Sequence, residues 1–167
     1  MSQMIMYEEE HRQISFLLNK LYRETNTRAC YIVDKNGQLV AEAGEVENID
    51  STSLSSLVAG SIAATGSLAK LIGEKEFSIM LHEGKDQHIH VSLVAGGVIL
   101  VVIFDGRTSL GLVRLRVKKA SEEFNKVFIN LSKKVQSPKA KSPFSEITDD
   151  DIDSLFRDDD IDKLFRE

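Results

Sequence analysis

The segment Val98-Ile-Leu-Val-Val-Ile-Phe104 is apolar at every position. A strand of this kind has no face to turn toward water. It belongs inside a sheet that is covered on both sides. It is far too short to cross a bilayer, which needs about 20 residues.

The rest of the chain supplies the cover. Ile14, Leu17, Leu18 and Leu21 stand at helical spacing within 6–24. Arg28–Asp34 is β-prone. Asn36-Gly37 then predicts a two-residue hairpin turn with positive φ at both positions, and Gln38–Ala43 is the return strand. Asp50, Ser51, Thr52 and Ser53 offer helix N-caps. A helix over 52–72 follows, closed by Gly73. Its expected core face is Leu54, Leu57, Val58, Ser61, Thr65, Leu68 and Ile72. Strands are predicted at Phe77–His82, His88–Val94 and Val98–Asp105. Leu112–Lys118 alternates as a strand would. However, Leu110, Val113, Val117, Ala120, Phe124, Val127, Phe128 and Leu131 keep steps of three or four for longer, which predicts a helix over Ser109–Val135. The order is α-β-β-α-β-β-β-α. The expected fold is α/β of the α+β kind: a five-stranded, mostly antiparallel sheet with helices on both faces.

Charge divides the chain. Of 26 acidic and 21 basic residues, 10 acidic and 5 basic fall within 136–167. The first 135 residues are therefore neutral, with 16 of each sign. Both prolines, Pro138 and Pro143, sit just past that boundary. We expect a domain over 4–135, a flexible linker over 136–148 and an acidic tail over 149–167. A neutral domain with a negative tail argues against nucleic acid as partner. Met1–Glu10 turns acidic where a secretory signal would be basic and then apolar, so a cytoplasmic protein without membrane insertion is expected. The single cysteine, Cys30, reads as a small buried hydrophobe.

Catalytic signatures are missing. There is no phosphate loop, no G-x-G-x-x-G after a strand, no G-x-S-x-G elbow and no H-E-x-x-H. No cofactor is implied, and an enzyme acting on a small molecule is disfavoured. His88 and His90 share a strand face. If residues 83–87 form the loop, His82 joins them, and three imidazoles could bind zinc or nickel. A solvated polar face is the plainer reading, and no metal site is assigned.

Two features suggest binding. The second helix carries Ser56, Ala59, Gly60, Ala63, Gly66 and Ser67 where a solvent face would hold Lys and Glu. Each glycine costs about 0.8–1 kcal/mol against alanine in a helix interior. Small residues there let another backbone approach closely. The tail repeats itself: Asp149-Asp-Asp-Ile-Asp-Ser-Leu-Phe-Arg157 precedes Asp158-Asp-Asp-Ile-Asp-Lys-Leu-Phe-Arg166. Nine residues turn a helix by about 900°, half a turn out of register. Ile152, Leu155 and Phe156 would thus face away from Ile161, Leu164 and Phe165. The copies read as two alternative docking peptides.

Several stretches carry a resemblance. They are Met6–Glu10, Val33–Leu39, Asn48–Leu54, Leu68–Glu74, Val101–Asp105 with Arg107–Arg116, Ser142-Pro-Phe, and the Asp-Asp-Asp-Ile-Asp-x-Leu-Phe motif. Together they resemble the MglB group of the bacterial roadblock (dynein light chain) superfamily. The tail departs from the group by carrying its motif twice, and the histidines at 82–90 are not a group feature. The resemblance implies the element order already read from the residues. It also implies a homodimer that activates hydrolysis by an MglA-type, Ras-like small GTPase in cell polarity and motility, at a cell pole. Such a protein rearranges the GTPase's switch regions without inserting an arginine and is not itself an enzyme. The implied GTPase contacts are Arg12, Gln13, Ala59, Ala63, Ser67, Arg114 and Lys118. Phe77, Ile79 and Leu81 are expected at a sheet edge in the dimer interface. The tail is implied to dock on the GTPase and modulate nucleotide exchange. The alternative is a roadblock dimer that acts only as a scaffold, recruiting polarity or response-regulator proteins.

Overall fold

The computed structural model describes residues 7–136. The repeats of the tail, and the expected linker beyond Gln136, lie outside the described residues. The elements are α1 (Glu8–Thr25), β1 (Ala29–Val33), β2 (Leu39–Gly44), α2 (Ser51–Leu71), β3 (Ile79–Glu83), β4 (Gln87–Val94), a single 3-10 turn at Ala95–Gly97, β5 (Val98–Asp105) and α3 (Leu110–Gln136). They form a five-stranded sheet in the order β2-β1-β5-β4-β3, antiparallel at every pairing. The apolar strand β5 is central, as its composition demands.

Each face of β5 has its own core. On one side Leu100, Val102 and Phe104 meet Ile14, Leu18 and Leu21 of α1 and Val113, Val117, Phe124, Phe128 and Leu131 of α3. On the other, Ile99, Val101 and Ile103 join Tyr31 and Val91 beneath α2, which contributes Val58 with Leu54, Ala59 and Ile62. The Cys30 thiol is buried in the first core, and burial pushes its pKa up to about 12, as for an inert structural cysteine.

Local chemistry sets the ends of α2. The Asp50 carboxylate accepts from Ser53 N at 3.1 Å, capping the first turn. At the other end Gly73 takes φ +82°, Glu74 N donates to Ala69 O at 2.9 Å and Gly73 N to Lys70 O at 3.2 Å. This pair of bonds is a Schellman motif, which a glycine permits. By composition α2 is long and apolar enough to cross a membrane, with mean hydropathy 1.2. Here it forms a layer of the domain, with Ser55, Val58 and Ala69 buried.

Four expectations need correction. The β1–β2 turn is not a two-residue Asn-Gly turn. Gly37 alone has positive φ there, and Asp34 N pairs with Gln38 O, leaving a three-residue loop. Asp34 Oδ1 also accepts from Asn36 N and Gln38 N, each at 2.9 Å, which supports the wider turn. Second, α2 is rotated from its expected phase. Leu57, Leu68 and Ile72 are exposed, and Ser55, Ile62 and Ala69 turn inward instead. Third, β3 begins at Ile79, so Phe77 precedes it. Fourth, the β3–β4 loop is only Lys85-Asp86, with Gly84 N bonded to Gln87 O. His82 therefore pairs with Ile89, and Glu83 with His88. A register shift of one residue puts His82 on the face opposite His88 and His90.

Gly44 ends β2 at φ +93°, and a Cβ there would lie 2.6 Å from Arg28 O and 2.7 Å from the Tyr22 ring. Gly44→Ala is expected to destabilise the domain by roughly 1–3 kcal/mol, measured as a lower urea midpoint at unchanged slope.

Candidate functional site

The outer side of α2 is the unusual surface. Leu57, Leu68, Leu71 and Ile72 are 72%, 53%, 82% and 67% exposed. They recur at helical spacing, so they form one apolar stripe rather than scattered residues. Beside the stripe lies a groove between the C-terminal half of α2 and the connection to β3. Ile62, Ala63, Gly66, Ser67 and Lys70 form one wall. Lys75, Glu76, Phe77 and Leu93 form the other. A Cβ added at Gly60 or Gly66 would meet nothing within 4 Å. The domain's own packing therefore does not require either glycine.

The groove brings together Ala63 and Ser67, expected at the GTPase contact, and Phe77, expected at the dimer edge. Ala59, one turn before Ala63, packs partly into the core beneath α2. Phe77 is not in one row with Ile79 and Leu81. Ile79 and Leu81 share a strand face, Ile79 being exposed and Leu81 packing toward the α1/α3 core. β3 itself is a sheet edge.

The remaining expected contacts sit elsewhere. Arg12 and Gln13 are exposed on α1, and Arg12 pairs with Glu8 at 2.5 Å. Arg114 and Lys118 are exposed on α3. Both helices lie across the sheet from α2, so a single protomer does not gather all the expected residues into one patch. Sequence reasoning missed the groove's second wall, Lys75, Glu76 and Leu93. The only available signal was the expected position of the 72–78 connection beside the helix end.

The face of β4 beneath α3 holds a buried histidine. His90 is fully buried, opposite Leu81 and Val102, and neither ring nitrogen has a hydrogen-bond partner. Burial holds its pKa below the ordinary value, and the Arg114 charge adds to the effect. Among the described residues no three His, Cys, Asp or Glu side chains are placed to hold a metal.

An exposed ion-pair network ties the strand ends together. Arg107 bonds Glu45 at 2.8 Å and Asp105 at 3.0 Å, and Arg28 lies 3.8 Å from Glu45. Arg107's hydrogen bonds hold both carboxyls below their usual range. We read this network as fixing the β5–α3 turn, since its charges are already paired.

Comparisons with known proteins point one way. Residues 13–104 match the Roadblock/LC7 domain family. The structure of Myxococcus xanthus MglB is 54% identical, with a TM-score of 0.73 over 76% of this chain and 96% of that one. The gliding protein MglB from Thermus thermophilus is 29% identical, with a TM-score of 0.73 over 78% of this chain and 98% of that one. An MglB structure with a tetrameric arrangement is 28% identical, with a TM-score of 0.74 over 78% of this chain and 98% of that one. No curated protein sequence matches the chain.

Two expected outcomes test this surface. Gly66→Ala adds a methyl into open space and removes a helix-interior glycine. It is expected to stabilise the isolated domain by about 0.5–1 kcal/mol in urea unfolding while weakening partner binding. His90 is neutral in the fold and has the ordinary pKa near 6.5 when unfolded. The unfolded chain therefore binds more protons, and the stability His90 gives is complete above about pH 6.5 and lost as pH falls toward the lower folded value. Urea midpoints at pH 7.5 and 5.5 should differ more in the native protein than in His90→Gln.

Proposed function

From a chain that belongs to the Roadblock/LC7 family and, within it, to the MglB group, we propose a homodimeric activator of an MglA-type, Ras-like small GTPase. The observation that carries this reading is the outer side of α2. It pairs an apolar stripe with a groove of small residues that the domain's own packing does not need.

The two parts suit two partners. The stripe of Leu57, Leu68, Leu71 and Ile72 is the proposed dimer contact, and the open edge of β3 offers a separate strand for pairing. The groove at Ala63, Gly66 and Ser67 suits a backbone segment, because no long side chain at these positions keeps it away. We assign this segment to a switch region of the GTPase. Arg12, Gln13, Arg114 and Lys118, in the other layer, would reach the GTPase only at the periphery or through the partner protomer.

The proposed mechanism needs no catalytic group from this protein. Phosphoryl transfer is accelerated mainly by positioning and charge stabilisation. Holding a switch segment in the groove would bring the GTPase's own residues to the γ-phosphate. The tail repeats are proposed to dock on the GTPase separately and modulate exchange. The site of action is proposed to be the cytoplasm near a cell pole. A scaffold that recruits polarity or response-regulator proteins remains the second reading, supported by the Asp-rich repeats.

Phosphate release from the GTP-loaded GTPase separates the readings. Stimulation is expected with the native protein. Ala63→Arg should abolish it, because an unpaired charge buried in the contact costs several kcal/mol. Ala63 is exposed in the protomer, so the variant should keep its fold by circular dichroism. No stimulation by the native protein, with binding intact, would favour the scaffold. Full stimulation by Ala63→Arg would exclude the groove.

A further inference from the structure

β4 turns three polar side chains toward the layer of α3. His88, His90 and Ser92 share one face of the strand. His90 and Ser92 are buried, and neither the ring nitrogens of His90 nor the Ser92 hydroxyl has a hydrogen-bond partner. Folded cores normally pair such groups. α3 covers this face. Its Asn125 Oδ1 accepts from Ala95 N at 2.8 Å just past the end of β4, and its Arg114 charge acts on His90. The unmade bonds mark the seam between β4 and α3 as a weakly held part of this layer.

The surroundings of His90 suit a neutral ring only. Leu81 stands opposite it on β3 and Val102 on β5. His88 follows on the same face, its ring 5.1 Å from that of Phe104. The carboxylate on this face of β3, Glu83, stands opposite His88 and is exposed. From α3, Arg114 repels a second cation. Lys118, one turn on, has the same sign and is exposed, and Glu122, one turn further, is exposed as well. A proton on His90 would meet apolar walls and a like charge, with no acceptor in hydrogen-bond reach. Short of unfolding, water can reach the ring only if α3 lifts. The backbone of β4 is bonded along both edges, to β3 and β5, and the other face of the sheet packs under α2 as a separate core. The first turns of α3 hold the core chiefly with Val113 and Val117, whereas the larger Phe124, Phe128 and Leu131 anchor the rest.

We propose that His90 is a proton-triggered latch: charging it releases residues 110–121 of α3 from the sheet while the rest of the domain stays folded. Such local opening is drawn from the least anchored part of a layer. Linkage sets its direction. In the closed form, burial and then the Arg114 charge hold the His90 pKa below the ordinary value. In the open form the ring meets water and titrates near 6.5. The open form therefore binds more protons. Opening grows by up to about tenfold per pH unit as pH falls from about 6.5 toward the lower closed value, and then levels off. The released turns carry Arg114 and Lys118. Acidification would thereby withdraw both from the GTPase contact, a consequence that alone rests on the proposed function.

Hydrogen–deuterium exchange of the full-length protein at pH 7.5 and 5.5, with each rate divided by the intrinsic rate at that pH, tests the latch. Amides of 110–121 are expected to lose protection by up to about tenfold at pH 5.5, while β1, β5 and α2 keep theirs. His90→Leu keeps the position apolar and removes the titration, so protection of 110–121 should be equal at the two pH values. Arg114→Gln changes an exposed side chain and removes the repulsion, so it should keep its fold and show a smaller pH effect than the native protein. Should His90→Leu fail to fold, Arg114→Gln decides. Equal protection of 110–121 at both pH values in the native protein, an undiminished pH effect in either folded variant, or a loss spread equally over β5 and α2 would each overturn the proposal. The test needs no GTPase, so its failure leaves the proposed function standing.

Discussion

Burying Val98–Phe104 on both faces forces a helical layer onto each side of the sheet, and the two layers are unequal. α1 and α3 share one side and bring a row of large aliphatic and aromatic residues. α2 covers the other side alone, and its fully covered positions are Ser55, Val58 and Ala69. Its larger residues, Leu57, Leu68 and Leu71, turn outward.

Much of this was legible in the residues. β5 announced its central place by continuous apolarity, and α1 and α3 by long runs of helical spacing. The phase of α2 was not legible, because apolar and small residues surround it on all sides. Leu57 and Ile62 satisfy a helical pattern equally well, and only the sheet below decides between them. The strand register failed for a different reason. Lys85-Asp86 closes a shorter loop than the residues suggested, and one residue of difference moves His82 to the other face. Asp34, which bonds two backbone amides, overrode the hairpin preference of Asn36-Gly37.

The candidate site was partly legible. Ala63 and Ser67 stood out because a solvent face there should carry Lys or Glu, and both line the groove. Arg12, Gln13, Arg114 and Lys118 came from resemblance, and the fold places them in the opposite layer. Sequence spacing says nothing about which helices share a side of a sheet, so this separation could not have been read from it. The groove's small residues suit the proposed function, in which shape holds a partner's backbone in place.

Hydrogen–deuterium exchange of the full-length protein, with and without the GTPase bound to a non-hydrolysable GTP analogue, tests this claim most directly. The account predicts slowed exchange in residues 59–78, the second half of α2 and the connection forming the far wall, with the β1–β2 hairpin unchanged. Protection centred on that hairpin, with 59–78 exchanging as in the free protein, would contradict it.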